Sequence, residues 1–586
     1  MRITRRSWLA HTLGGVLAAG AHAPQEKEEI YVALIRANDA RIPALIAAMP
    51  GHQPRRSAVR RVAGDVQALA AAYCAPESAY AKSASLLPAF EQAGRFFLAA
   101  QHADGTIDSG NLESPPDTGF VVETLGTAVG VLHRSGEAAL RPALAQFDRF
   151  LRAAGEALIT GGIHTPNHRW VICEALARLH ALYPDSRYVR RIDDWLGEGI
   201  YQDADGQYPE RSTGIYSRVE NAAFVAMARL LGRPRLLDPV RRNLAMNLYY
   251  THPDGEIETI GSRRQDQGTV LSAAVHYLEY RYLALRDRNP QFASMARMME
   301  AQPRDRATLL ARLVYFLDEP LLQTPLPASA PLPSEYVKVF ASSSLARIRR
   351  GPVSATIYGG SDWPLGVGSG LASHASFFDF RKGGAVLESV RLGAHFFSKG
   401  HFRSEGLRVN GNRYALRQRI DVPYYQPLAA RDRNPAGDYP LTPAEDRYWS
   451  KLDFPKRRKS QIKSLDQRVT ITENDGAFEL AFEIDGHREV PVVLELCFRR
   501  GGQFTGVKPG PAPNSHLLEG RRAAYRVGAD VIEFGEFGEL GPGRAEHERL
   551  NLEGASYSWH RGSSKPDGEC VYLTGFTPFV ARLTIR

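Results

Sequence analysis

The sequence is poor in cysteine, and this scarcity excludes several classes of protein. Only four cysteines occur in 586 residues, Cys74, Cys173, Cys497 and Cys570, and no two have the short spacing of a metal-binding motif. So sparse a set cannot form the disulfide framework of a small secreted domain. Cys497 and Cys570 could pair in an oxidising compartment, but their spacing does not establish a bond.

Long apolar runs and strongly basic runs are also missing. Beyond the N-terminus, no segment is long and apolar enough to cross a bilayer, so we expect no membrane span. The formal net charge is +9, yet lysine and arginine do not form the runs, interleaved with aromatics, that bind nucleic acid. The modest positive excess instead suits an anionic ligand. A chain of this length is too long for one core, so two large domains are expected.

The N-terminus has the features of an export signal. Arg5 and Arg6 precede a short run rich in Ala, Gly and Leu, as in a twin-arginine signal. An Ala-His-Ala sequence at 21–23 offers a cleavage site, although Pro24 directly after it is unfavourable. We predict a signal peptide over residues 1–23 and an exported protein, periplasmic or extracellular.

Residues 26–323 have a helical pattern. Apolar residues recur at spacings of three and four, as in amphipathic helices, in segments such as 139–158 and 218–231. A similar loop returns between the helices, with glycines at 105, 162, 206 and 255 that are 57, 44 and 49 residues apart. A period near fifty accommodates one helical hairpin and its connections, so this half is an array of helix pairs. The period alone does not choose between an open solenoid and an α/α toroid.

The second half of the chain has a different period. A proline-rich linker over residues 324–335 is followed by many short segments in which apolar and polar residues alternate. Tight-turn sequences at 410–412 and 474–476 separate some of these segments. Many short strands without intervening helices predict an antiparallel β-sandwich over residues 336–586.

The inter-helix loops of the first half carry the residues best suited to chemistry. Loops at one end of successive helix pairs face one cleft, so their side chains should converge. The catalytic candidates in these loops are Asn167, His168 and Tyr216. The candidates for substrate binding are Tyr208, Glu210, Arg211, Arg263 and Arg264. Simpler roles remain open, since Asn167 could cap its helix and Tyr208 stands where the other loops have an inward-packing Ile.

These residue types fit the cleavage of a uronic acid chain by β-elimination. The C5 proton is barely acidic, so the adjacent carboxylate must be neutralised by hydrogen bonds, which an Asn can donate. A neutral His can take the proton, and a phenol can donate one to the departing oxygen or act as the base itself. Arginines would hold neighbouring carboxylates or sulfates. None of these steps requires a metal or a cofactor.

The Asn-His pair at the start of a helix, followed 216 − 167 = 49 residues later by Tyr216, resembles the heparinase II/III-like polysaccharide lyases and the related oligoalginate lyases. The resemblance implies an α/α toroid followed by an antiparallel β-sandwich. It also implies that Asn167 neutralises the substrate carboxylate and that His168 and Tyr216 act as base and acid. A further catalytic His is implied near the start of the sandwich, where Ser373-His374-Ala375 offers His374.

The sequence departs from this family at Ser376, where relatives often have a second His that binds a structural zinc. Possible ligands nearby are Asp379, Glu388, His395 and His401. Their spacing fits poorly, so we expect no cofactor, and a structural zinc or calcium in the sandwich is not supported by the pattern.

Two other functions compete with a lyase that acts on an acidic polysaccharide. A glycoside hydrolase on the same helical scaffold would need two carboxylates flanking the bond, and Glu210 with Glu258 or Asp104 could supply them. A protein that only binds carbohydrate would need neither. The polymer, the choice between endo and exo cleavage, and the oligomeric state do not follow from the sequence.

Overall fold

The computed structural model describes residues 29–362, 371–444, 448–535 and 567–586. The signal peptide predicted over residues 1–23 lies outside these ranges. Within them, the first half of the chain forms thirteen α-helices: α1 Glu29–Ala48, α2 Val59–Cys74, α3 Leu87–Ala100, α4 Pro115–Ser135, α5 Arg141–Thr160, α6 Pro166–Leu182, α7 Ser186–Gly197, α8 Tyr216–Leu230, α9 Leu237–Tyr250, α10 Tyr277–Asp287, α11 Pro290–Ala301, α12 Arg306–Leu310 and α13 Leu313–Asp318.

The helices form two concentric layers. Helices α2, α4, α6, α8 and α10 lie next to one another in this order as an inner layer, while α3, α5 and α7 pack side by side outside them. Helix α13 contacts α1, α2 and α4 and so returns to the start of the array. This arrangement is an α/α toroid, as the family resemblance implied, and one continuous apolar core lies between the layers.

Local sequence sets where the inner helices begin. Helix α4 starts at the Pro115-Pro116 pair, and the Oγ of its N-cap, Ser114, accepts a hydrogen bond from the backbone N–H of Asp117. It ends at Gly136, which has the left-handed conformation, φ 68°, of a helix C-terminus. The loops before α4, α6, α8 and α10 all enter the N-termini of inner helices, so they lie at the same end of the toroid.

Three of the four repeated loops share one turn. Their glycines, Gly105, Gly206 and Gly255, have φ values of 90°, 100° and 85°, which a residue with a Cβ rarely adopts. In each loop the N–H three residues before the glycine donates to the carbonyl one residue after it, from His102, Asp203 and His252 to Thr106, Gln207 and Glu256. The loop at Gly162 lacks the positive φ and is shorter.

The second half of the chain is a sandwich of two large sheets. Two short strands lie in the toroid half, β1 Glu256–Ile257 and β2 Leu271–Ser272. The strands that follow are β3 Glu335–Phe340, β4 Leu345–Arg350, β5 Val353–Tyr358, β6 Phe378–Lys382, β7 Ala385–Ala394, β8 Leu407–Asn410, β9 Arg413–Tyr425, β10 Thr442–Ala444, β11 Tyr448–Ser450, β12 Lys459–Asn474, β13 Ala477–Gly486, β14 Pro491–Phe498, β15 Gln503–Thr505, β16 Val507–Pro509, β17 Ser515–Leu518, β18 Arg522–Val527, β19 Asp530–Gly535, β20 Glu569–Phe576 and β21 Phe579–Ile585.

The two sheets share one apolar core. One has nine strands in the order β16-β17-β20-β14-β7-β6-β5-β4-β3 and the other eight in the order β15-β18-β19-β21-β13-β12-β9-β8. Apart from the parallel β17–β20 pair, their neighbouring strands run antiparallel. Apolar side chains from both sheets form a common core between them, as in a β-sandwich. Residues 324–334, all of them described, form no α-helix or strand.

The nine-stranded sheet contacts the toroid through its polar face. In β4, β5 and β6 the side chains alternate, so that Ile348, Ile357 and Phe380 enter the sandwich core. Arg347 and Asp379 point the other way and are also buried. The loops that precede α8 and α10 cover this face, which places the sandwich beside the end of the toroid where the repeated loops converge. None of the helices in the described ranges is both long and apolar enough to cross a bilayer.

Candidate active site

Asp266 holds together the two loops that carry most of the candidate residues. Its Oδ2 accepts hydrogen bonds from Ser212 Oγ at 2.9 Å and from the Gly214 N–H at 3.2 Å, and its Oδ1 accepts from Ser262 Oγ. Ser212 Oγ also accepts the N–H of Tyr216, the first residue of α8, at 3.0 Å. The loop between β1 and β2 is thereby held over the N-terminus of α8.

A continuous series of hydrogen bonds connects Asn167 to Tyr216. Asn167 Nδ2 donates to Glu210 Oε2 at 2.8 Å, and Arg264 Nη1 pairs with Glu210 Oε1 at 2.6 Å. Arg264 Nη2 then donates to the phenol oxygen of Tyr216 at 3.2 Å. Burial raises the pKa of Glu210 above its ordinary value, although Arg264 and Asn167 pull it down. Four of the residues predicted to be functional therefore form one network.

The phenol oxygen of Tyr216 receives two hydrogen bonds. Gln265 Nε2 donates to it at 2.7 Å in addition to Arg264, and the Arg264 guanidinium lies 4.3 Å from the centre of the Tyr216 ring. Two donors at one oxygen stabilise negative charge on that oxygen. The half-buried Tyr216 side chain is thus arranged to exchange a proton.

His168 is neutral at physiological pH in this setting. Burial lowers its pKa to about 4, with Arg264, His164 and Arg60 acting in the same direction and Asp117 against them. The backbone N–H of His164 donates to His168 Nδ1 at 3.3 Å. A neutral imidazole that accepts at Nδ1 carries its proton on Nε2. In this tautomer His168 offers a hydrogen-bond donor through Nε2, and its role as the base stays a prediction.

Asn167 is fully buried, and both hydrogens of its amide group are already committed. Besides Glu210, its Nδ2 donates to Thr165 Oγ1 at 2.9 Å, which uses both amide hydrogens. Its side chain has no exposed surface. Direct neutralisation of a substrate carboxylate by Asn167 would require these bonds to break, because tertiary contacts with Glu210 have taken up the donors that the sequence alone left free.

His374 reaches this region from the sandwich. A Cβ added at Gly268 would overlap His374 Nε2, so the His374 ring lies against the loop that carries Arg264 and Gln265. Its Nδ1 accepts the N–H of Ser376 at 3.0 Å. The sandwich and the toroid therefore both contribute to the surroundings of this loop.

Three substrate-binding candidates are used elsewhere in the fold. Tyr208 is buried, and its hydroxyl donates to Asn221 Oδ1 at 2.9 Å, so it packs within the toroid. Arg263 pairs with Asp362 of the sandwich half at 2.6 Å, and Arg211 Nη2 donates to the Ser342 carbonyl at 2.7 Å. Both arginines join the two domains, because the loops that carry them cover the nine-stranded sheet.

Within the described ranges, one cluster of potential metal ligands forms, and an arginine lies against it. Asp379 comes together with His252 and Glu258, each offering one donor atom within 4.8 Å of the others. The guanidinium of Arg347 lies 3.4 Å from Glu258 Oε2 and 3.2 Å from His252 Nδ1. Burial and the charge of Glu258 raise the pKa of Asp379 well above its ordinary value. Arg347 already supplies positive charge to these buried acids, so a cation would have to share them with the guanidinium.

The other ligand candidates lie outside this cluster. Glu388 accepts from Arg499 Nε at 2.7 Å, which makes it part of an ion pair between strands of the sandwich. His395 donates its backbone N–H to the Pro491 carbonyl at 2.8 Å, and His401 forms an isolated backbone bridge with Gly393. Their sequence positions therefore do not bring them to Asp379.

The three acids considered for hydrolysis are each engaged in hydrogen bonds or an ion pair. Glu258 is buried, its Oε1 accepts two backbone N–H groups and its Oε2 accepts from Thr356. Asp104 bonds to the backbone and hydroxyl of Thr106 within its own turn. Of the three acids considered for hydrolysis, Glu210 and Glu258 are buried, whereas Asp104 is exposed in the loop before α4.

Three residues of the site were missed by the sequence analysis. Gln265 lies next to Arg264 but is a common surface residue type, and nothing local indicated its bond to Tyr216. Asp117 accepts from Gly110, Asn111 and Ser114 and so orders the loop before α4. Arg60 pairs with Asp117 at 2.5 Å. The spacing of arginines in Arg-Arg-Ser-Ala-Val-Arg-Arg at 55–61 was the available signal.

No model of a known protein family matches the chain, and no curated protein matches it either. Solved structures do. One is a chondroitin AC lyase from Streptomyces coelicolor A3 in complex with chondroitin sulphate, with 14% identity, a TM-score of 0.54, and coverage of 95% of this chain and 79% of that chain. A heparinase III matches with 10% identity, a TM-score of 0.54, and coverage of 89% and 75%.

A second heparinase III matches with 10% identity, a TM-score of 0.52, and coverage of 96% of this chain and 86% of that chain. At such low identities the likeness concerns the fold. The toroid followed by a sandwich is thus a fold shared with these lyases, which confirms the fold that the resemblance implied.

Proposed function

We propose that the protein is a polysaccharide lyase that cleaves a uronic-acid-containing anionic polysaccharide by β-elimination. The observation that carries this proposal is the hydrogen-bonded series from Asn167 through Glu210 and Arg264 to Tyr216. The shared fold with lyases of acidic polysaccharides supports it, and the chondroitin sulphate bound by one of them favours a glycosaminoglycan as substrate. The signal sequence proposed for residues 1–23 would deliver the enzyme to such a polymer outside the cell.

Tyr216 is the proton-transfer residue in this proposal. As the phenolate it takes the proton from C5 of the uronate, the C4–O4 bond breaks, and a double bond forms between C4 and C5. The resulting phenol gives its proton to O4 of the departing chain, which returns Tyr216 to the phenolate. Arg264 and Gln265 support this cycle because their hydrogen bonds stabilise the charge on the phenolate oxygen.

His168 serves as a donor to the substrate. Elimination places charge on the carboxylate next to C5, and a hydrogen bond from Nε2 of the neutral ring lowers the energy of that state. Asn167 is then a positioning residue. Through Glu210 it fixes the guanidinium of Arg264, which touches the reacting phenol. Each role is filled by a side chain of the protein, so the proposed reaction requires no cofactor.

The test is the absorbance of a conjugated unsaturated uronate while purified protein is incubated with alginate, glucuronan, hyaluronan, chondroitin or heparan. We expect a rise with one polymer that is lost in Tyr216→Phe. His168→Gln, which keeps a neutral donor, should retain more activity than His168→Ala.

Three outcomes would count against this account. Equal loss in the two His168 variants would make His168 the base and contradict its role as donor. New reducing ends without the absorbance would indicate hydrolysis. An unchanged polymer with every substrate, despite measurable binding, would indicate a carbohydrate-binding protein.

A further inference from the structure

A groove lies where the first helices of the toroid meet the last. Helices α1 and α2 form one wall, and residues 310–314 of α12 and α13 form the other. Its volume is about 230 Å³, which is enough for a sugar ring and not only for an ion. We call it the basic groove, because Arg41, Arg60 and Arg61 line it.

The charged side chains that line the basic groove give it a net positive charge. Its lining holds three arginines and one acid, Asp65, which gives +3 − 1 = +2. Asp65 lies at the buried side, 3.5 Å from His52 Nε2. Arg61 is exposed, and its Nη2 lies 3.2 Å from His52 Nδ1, an uncharged partner when the imidazole is neutral.

Arg41 of the groove and the nearby Arg56 form no ion pair within the described part of the chain. The guanidinium of Arg41 has no hydrogen-bond partner there and is only half-buried, although the charge of Asp65 attracts it. Arg56 donates to the backbone carbonyls of Ser109 and Gly110, and it lies near enough to Asp108 for the two charges to attract each other. Of the arginines named here, Arg60 is the one with a carboxylate at ion-pair distance, Asp117.

The basic groove adjoins the candidate active site through Arg60. This side chain lines the groove, pairs with Asp117 at the start of α4, and lies 4.3 Å over the Phe120 ring. Arg60 and Asp117 are both close enough to His168 to influence the pKa of its ring. Because α2, α4 and α6 are neighbours in the inner layer, a chain that occupies the cleft at His168 can continue past Arg60 into the groove.

We propose that the basic groove is a secondary subsite in which Arg41 and Arg61 bind the carboxylate or sulfate of an acidic sugar, several residues away from the bond that is cleaved. The guanidinium fork suits both groups, because it donates two parallel hydrogen bonds to oxygens of a planar carboxylate or a sulfate. This subsite deepens the proposed function and rests on it for the identity of the ligand.

The test compares the binding of short and long oligosaccharides to protein that cannot cleave them. In the Tyr216→Phe background, calorimetry measures the affinity for a tetrasaccharide and a dodecasaccharide of chondroitin sulfate and of glucuronan. We expect Arg41→Gln with Arg61→Gln to lower the affinity for the dodecasaccharide about tenfold or more, as expected for the loss of hydrogen bonds between charged groups. The gain in affinity with chain length and its dependence on salt should both shrink.

A matched control removes the same charge elsewhere. Arg408 and Arg431 are exposed on the sandwich, and the double change to Gln there should leave the length dependence intact. The two oligosaccharide series also identify the group that is bound, because glucuronan carries carboxylates without sulfates.

An equal loss of affinity in the control, or an equal loss for short and long chains, would overturn the subsite. Failure of the lyase proposal looks different: no absorbance would rise with any polymer, while the length-dependent binding and its loss in the Arg41 and Arg61 variant would persist. Absorbance that rises in the wild type, with no effect of these two substitutions on binding, would contradict the subsite alone.

Discussion

Replacing Glu210 by Gln should test the ion pair that positions Arg264 apart from the other contacts of the site. Glu210 and Arg264 are joined at 2.6 Å, with side-chain exposures of 5% and 14%. Removing one partner of a fully buried pair costs about 3–5 kcal/mol, and the partial exposure of Arg264 reduces this to about 2–3 kcal/mol. The amide that replaces the carboxylate would still accept from Asn167 but could not neutralise the guanidinium, so Arg264 should shift away from the Tyr216 oxygen.

A misplacement of about 1 Å at a reacting group costs about a hundredfold in rate, so kcat/KM of Glu210→Gln should fall by about that factor. Urea unfolding gives the stability change, and the absorbance assay gives the rate. Glu495→Gln is the matched control, because Glu495 pairs with Arg391 at 2.7 Å in the sandwich and both are buried. It should lose comparable stability and keep its activity. Wild-type kcat/KM in Glu210→Gln would refute the reasoning.

Three further predictions concern the titration of His168, a buried ion pair and a pair of cysteines. The His168 ring should titrate near pH 4 by NMR, and a midpoint near 6.5 would contradict this. Because folding lowers its pKa from the usual 6.5, the neutral ring contributes fully to stability above pH 6.5. That contribution is lost as the pH falls towards 4. Arg347→Met should destabilise the protein by about 3–5 kcal/mol, because it leaves Glu258 charged and buried, and the added change Glu258→Gln should restore part of that loss in urea unfolding. Cys497 and Cys570 lie directly opposite each other on β14 and β20, so mild oxidation should link them and add up to about 4 kcal/mol; free thiols at both positions in a non-reducing peptide map would be the contrary result.

Much of the architecture could be predicted from periodicity. Three patterns indicated helix pairs followed by a β-sandwich: the helical spacing, the returning Asp-Gly loops, and the alternation of apolar and polar residues after the proline-rich linker. Each of these patterns depends only on residues that are neighbours in sequence. The loop repeat further predicted that the candidate residues would meet, because each such loop enters an inner helix at the same end. Closure into a toroid followed from the family resemblance, since a repeat length does not determine whether an array closes.

The partners of individual side chains could not be predicted. Arg263 and Arg264 are adjacent in sequence, yet one pairs with Asp362 across the domain interface and the other with Glu210 in the site. Asn167 has its amide taken up by Glu210, 43 residues away in sequence. Such pairings depend on how the loops pack against the sheet, and the local sequence pattern holds no information about that packing.

The most direct test of the central claim is to measure whether oxygen from water enters the products. The cleaving reaction is run in heavy-oxygen water with the polymer that gives the strongest response, and the products are analysed by mass spectrometry immediately. Elimination breaks the C4–O4 bond without water, so we predict products that lack the label at the cleaved position and carry a double bond in the new terminal sugar. Label in the new reducing end, with saturated sugars on both sides, would show hydrolysis and contradict the account.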